Sequence, residues 1–109
     1  VEFIKYFNDK INEIHSTAKS KGWWDGERND AEIIALIHSE LSEALEYLRE
    51  GNPSDDKLPD FSGVEVELAD VVIRVMDYAG ARNYRLAEAI EAKIYFNGTR
   101  EHKHGGKKF

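Results

Sequence analysis

The sequence predicts an all-α fold, a four-helix bundle-like single domain spanning residues 1–109. Three observations carry this. There are only two prolines in 109 residues. Apolar residues recur at alternating three- and four-residue spacing, the period of a one-sided helix. Glycine, proline and asparagine pairs fall between those periodic runs rather than inside them. With 41% hydrophobic and 11% aromatic residues, the chain can bury one modest core and lacks a disordered composition.

The first helix is predicted over residues 2–19, where Ile4, Phe7, Ile11, Ile14 and Ala18 share a face. Lys21-Gly22 and Asp25-Gly26 end it and leave Trp23 and Trp24 in a connection. The second is predicted over 30–50; Asn29 with Glu32 three residues on forms a capping pair, and Gly51 and Pro53 stop it. A polar loop, NPSDDKLPDFSG, follows. The third is predicted over 64–79 with Gly80 as its C-terminal cap, and the fourth over 84–96, ended by Asn97-Gly98. Residues 101–109 are expected to form a mobile basic tail.

Charge and composition exclude several classes. A formal net charge of -6 disfavours a protein that coats a nucleic-acid polymer, although an acidic protein binds a small phosphate ligand when local cations reverse the field. No run approaches the roughly 18–20 apolar residues of a membrane span, so no membrane partner is expected. The N-terminal stretch is interrupted by charges and lacks a signal-peptide core. The chain opens on Val1 rather than Met, which fits a processed or trimmed start. The absence of cysteine excludes disulfides and thiolate metal sites and fits a reducing compartment, so a cytoplasmic location is expected.

Two carboxylate pairs stand out. On a helix, residues three apart differ by about 60° and share a face, which pairs Glu40 with Glu43 and Glu67 with Asp70. Such spacing is common on solvated helices, but Glu40 does not fall on a solvated face. With Glu40 at zero and about 100° per residue, Ile33, Ile37 and Ala44 lie to one side, and Leu36 and Tyr47 to the other. An ionised carboxylate inside an apolar stripe is costly unless paired or bound to a metal. The third helix is apolar around most of its circumference, and Glu67, Asp70, Arg74 and Asp77 form one polar stripe. A helix of that kind is buried on several sides, which in a chain this short predicts a partner subunit. The alternative is that the stripe faces water and Arg74 is an ordinary ion-pair partner of Asp70. Four oxygen donors without cysteine suit Mg²⁺, with Mn²⁺ as a substitute. A di-iron bundle requires Glu-x-x-His on two helices, and the sequence contains none.

E-x-x-E on one helix followed by E-x-x-D on the next resembles the all-α NTP pyrophosphatase superfamily, the MazG-like nucleotide pyrophosphohydrolases. Lys21-Gly-Trp-Trp-Asp25, IALIHSELSEALEYLREG (34–51), ELADVVIRVMDYAG (67–80) and the ending Lys93…Asn97…Arg100…HGGKK extend the likeness over roughly residues 15–108. The resemblance implies the fold of that superfamily and Mg²⁺-dependent hydrolysis of nucleoside triphosphates to the monophosphate and pyrophosphate. It implies Glu40, Glu43, Glu67 and Asp70 as catalytic metal ligands, one of which orients the attacking water instead. It also implies Lys93, Asn97 and Arg100 as phosphate-facing groups that stabilise the leaving pyrophosphate; for Lys93 the competing reading is a surface lysine laid along an apolar face. A homodimer or homotetramer, as a dimer of dimers, is expected.

Trp23 and Trp24 have two readings, as platforms for the base or as packing residues. His38 is expected to be structural, Phe61 has no assigned role, and Lys107 and Lys108 either close over phosphates or solubilise the tail. Two further functions remain open: a related pyrophosphatase acting on phosphoribosyl-ATP, and a non-catalytic helical interaction module.

Overall fold

A computed structural model describes residues 1–100. It contains four helices in the order α1 (Glu2–Ser20), α2 (Asp30–Arg49), α3 (Gly63–Arg82) and α4 (Leu86–Gly98), and no strand among the described residues beyond one isolated bridge, Ser54 to Ser62. The fold is all-α, as the periodicity predicts. The expected tail and the basic residues Lys107 and Lys108 lie outside the described residues. No helix is long and apolar enough to cross a membrane.

α3 is the central element: it packs on α2 and on α1, and α4 packs on α1. Local chemistry sets the ends. Asn29 accepts a hydrogen bond from the Glu32 amide at 3.2 Å and caps α2. Ser62 and Glu65 form a reciprocal capping box at the start of α3, satisfying two amides that the first turn would leave unpaired. The connection from α2 to α3 is tied down by Asn52 Oδ1, which accepts from the Val64 amide, and by the Gly63 amide, which donates to Pro53 O at 2.8 Å.

Three boundaries differ from expectation, all in α3 and α4. Gly80 does not cap α3; the helix continues to Arg82 and closes on Asn83 in the left-handed conformation, φ 57°. Gly80 is instead a packing residue: a Cβ there would sit 3.0 Å from Ile11 Cγ2 and from His15 Cβ, so its missing side chain lets α1 and α3 approach. Accordingly α4 begins at Leu86 rather than 84, because the Tyr84 amide bonds back to Ala79 O in completing the α3 terminus. α4 also runs through Asn97-Gly98 before Thr99 caps it.

The core is small. Ile11, Ile33, Ala44, Met76, Ala79 and Ala87 are buried. Against this, Ile34, Leu41, Leu45 and Leu48 line one exposed face of α2, and Leu68, Val72 and Ile73 are exposed along the first half of α3. Within one chain, apolar burial of α3 is therefore met only towards its C-terminal end, at Met76 and Ala79.

Candidate metal centre and its flanking cavity

The polar stripe of α3 turns inward, which removes the water-facing alternative. Glu67 is only 8% exposed and Asp77 is buried too, while Asp70 and Arg74 are half-buried. Opposite them Glu40 projects from the α2 face that also carries the buried Ile33 and Ala44. Carboxylate oxygens of Glu40, Glu67 and Asp70 lie within 4.8 Å of one another. Glu43 is exposed, at the rim, and stands outside that group of three.

The electrostatics follow from that crowding. Burial, then a hydrogen bond and charge from Glu43, then the charges of Glu40 and Asp70, push the Glu67 pKa up to about 7. One of its oxygens, Oε2, is buried with no hydrogen-bond partner; Glu88 Oε1 is the other such atom among the described residues. A buried carboxylate oxygen without a partner and a crowd of neighbouring carboxylates are each unfavourable, and a divalent cation with oxygen preference relieves such crowding. The donor set, three carboxylates with a fourth at the rim, fits Mg²⁺ or Mn²⁺ chemically.

Arg74 does not pair with Asp70, as its four-residue spacing suggests. Its Nε donates to Glu40 Oε1 at 3.0 Å across the α2–α3 interface, and its guanidinium lies 4.9 Å from the centre of the Trp23 ring. Trp23 and Arg74, with Asp70 and Asp77, line a cavity of about 400 Å³ whose apolar wall comes from Ile14, Ala18 and Ile73. The cavity therefore opens beside the acids.

The two tryptophans separate. Trp23 is half-exposed at the cavity. Trp24 takes the packing role: its indole N–H donates to both Asp77 oxygens, at 3.0 and 3.1 Å. His15 Nδ1 reaches the same carboxylate at 2.7 Å, and the Arg28 guanidinium covers the Trp24 ring at 4.5 Å. This cluster pins the α1–α2 connection to α3 and so fixes where Trp23 stands. The sequence places Asp77 in the polar stripe but assigns it no role, and it does not single out His15. A signal was present for both, since Asp77 belongs to the polar stripe of an otherwise apolar helix and His15 lies one turn after Ile11 on the packed face of α1.

Lys93, Asn97 and Arg100 are not brought to the acids within one chain. All three are exposed on or just beyond α4, which packs on α1; the Lys93 and Arg100 cations sit 5.1 and 5.7 Å from the Phe96 ring. Lys93 thus adopts the surface alternative in the single chain. The physical reason is that α4 is short and is held through Ala87, which is fully buried near its start, leaving its distal turns in solvent. His38 is exposed rather than part of the core. Phe61, without a role in the sequence, borders a second apolar groove of about 590 Å³ with Leu68, Val72 and Ile73.

No family model, curated protein or solved structure matches the chain.

Proposed function

We propose that the chain is a Mg²⁺-dependent nucleoside triphosphate pyrophosphohydrolase with the MazG-like all-α fold, releasing monophosphate and pyrophosphate. The observation that carries the reading is Glu67, a buried carboxylate with an unpartnered oxygen that belongs to a group of three with Glu40 and Asp70 whose oxygens lie within 4.8 Å of one another, Asp70 also lining an open cavity. Glu40, Glu67 and Asp70 would hold the ion, with Glu43 completing the set from the rim. Bound there, Mg²⁺ would offset phosphate charge and polarise the attacked phosphoryl group. Trp23 offers the base a flat wall, and the cavity's size suits a base but not a polymer.

The oligomer belongs to the same proposal. The apolar faces of α2 and α3 left in solvent support a homodimer or a dimer of dimers. In it, Lys93, Asn97 and Arg100 would meet the acids of a neighbouring copy rather than their own.

The test is a panel of ordinary, deoxy and modified nucleoside triphosphates, with phosphoribosyl-ATP alongside, incubated with Mg²⁺ while pyrophosphate and monophosphate are measured. Turnover lost in Glu40→Gln and Asp70→Asn supports the enzyme. No turnover of any substrate, with both variants binding Mg²⁺ like wild type, leaves a helical interaction module.

A further inference from the structure

Arg74 touches three parts of the site at once. It bonds Glu40 on α2, it stacks on Trp23 in the α1–α2 connection, and it lines the cavity with Asp70. Among the described residues it is the one basic side chain in an ion pair with any of Glu40, Glu43, Glu67 and Asp70. It engages Glu40 through Nε, so the terminal nitrogens of its fork remain for another anion. Its side chain is about one-third exposed, enough for those nitrogens to meet a solute in the cavity.

Glu40 is also one of the three residues whose oxygens converge within 4.8 Å. A divalent ion entering that cluster and the Arg74 guanidinium are two cations drawn to one carboxylate in a poorly solvated place. Close like charges repel strongly there, and arginine, unlike lysine, stays charged and is shaped for planar or bidentate anion contacts. An ion there would compete with Arg74 for Glu40, and the guanidinium already borders the cavity.

We propose that Arg74 is the exchangeable cation of this site: the divalent ion displaces it from Glu40, and it then binds the polyphosphate of the substrate. The proposal rests on the metal-dependent nucleotide reading and supplies, from within one chain, the phosphate contact that Lys93, Asn97 and Arg100 do not make there. Because Trp23 rides on the guanidinium, the exchange carries an optical signal.

Three measurements on the chelator-treated full chain test it. In calorimetry with Mg²⁺ alone, Arg74→Gln should bind the ion about tenfold more tightly than wild type, since no resident cation has to leave a charge-assisted hydrogen bond. Tryptophan emission of wild type should change along the same Mg²⁺ isotherm, and Trp23→Phe should abolish that change while leaving the isotherm in place. With Mg²⁺ saturating, inorganic pyrophosphate should bind about tenfold more weakly to Arg74→Gln, the loss of one charged hydrogen bond. Equal or weaker Mg²⁺ binding by Arg74→Gln, a silent wild-type emission, or unchanged pyrophosphate affinity would each overturn the proposal. Trp23→Phe keeps the optical arm decisive should Arg74→Gln fold poorly. The two readings separate cleanly. Absent turnover with all three responses intact sinks the enzyme and spares the exchange, whereas normal turnover with Arg74→Gln binding Mg²⁺ like wild type sinks the exchange alone.

Discussion

Replacing Glu67 with glutamine should stabilise the metal-free protein at alkaline pH and, if the proposed site holds Mg²⁺, should remove the stabilisation expected from that ion. Burial and the Glu43, Glu40 and Asp70 carboxylates raise the Glu67 pKa from 4.5 to about 7. The folded chain thus holds this proton more tightly than the unfolded chain. Stability present below about pH 4.5 is lost as the pH rises, and the loss is complete above about pH 7. At about 1.36 kcal/mol per pKa unit, the rise amounts to about 3 kcal/mol, a large share of the roughly 5–15 kcal/mol that typically holds a domain together. Glutamine keeps the shape, never ionises, and offers amide hydrogens to the surrounding carboxylates. In chelator at pH 8, Glu67→Gln should melt on the order of 10 °C above wild type, and the gap should close towards pH 4.5. Adding Mg²⁺ should raise the wild-type Tm by mass action and leave the variant where it was. Melts followed by circular dichroism across this range decide it. A variant melting at or below wild type at pH 8, or a gap that ignores pH, refutes the assignment of Glu67 as a strained, cation-seeking acid.

Gly63→Ala should destabilise the fold by more than about 1 kcal/mol in urea titrations despite alanine's better helix propensity, because the new Cβ falls inside the Tyr47 ring; Tyr47→Ala should recover much of the loss in a double-mutant cycle. Trp24→Phe removes the indole donor from buried Asp77 and should cost about 1.5–3 kcal/mol, the range for a hydrogen bond to a charged group; a urea midpoint within error of wild type would deny the cluster its anchoring role. Val72, 52% exposed on the unpartnered stretch of α3, should report assembly: sedimentation should find wild type larger than a monomer and Val72→Glu shifted towards one, and a wild type that sediments as a monomer at tens of micromolar contradicts the oligomer.

The helices were legible because apolar period and capping residues agree along most of the chain. Asn29 does cap α2, and Glu40 does lie in a packed stripe. The misread positions are those where one residue type serves two purposes. Gly80 reads as a terminator because glycine tolerates the left-handed turn, yet here it is needed for the closeness of Ile11 and His15; only the partner helix distinguishes the two uses. Arg74 reads as a partner of Asp70 because spacing along one helix is visible in a sequence, whereas a 3.0 Å bond to a residue 34 positions earlier is not. The same limit hid Asp77, whose three hydrogen-bond contacts all come from α1 and the connection after it.

These misreadings share a direction, and it bears on the site. Each concerns a polar or small residue on the inward face of α3, and each gains its meaning from α1 or α2. Among the described residues, the cation bonded to one of these acids is Arg74, on α3 itself, one turn beyond Asp70. A stripe of four charged residues on an otherwise apolar helix is unfavourable to bury unless its charges are matched. Arg74 matches Glu40, and Trp24 and His15 satisfy Asp77. That leaves Glu67 and Asp70 with carboxylate neighbours and no bonded cation among the described residues. The imbalance is local and sits beside the cavity, so the rest of the stripe can be stable while this one corner is where the proposed ion would relieve repulsion.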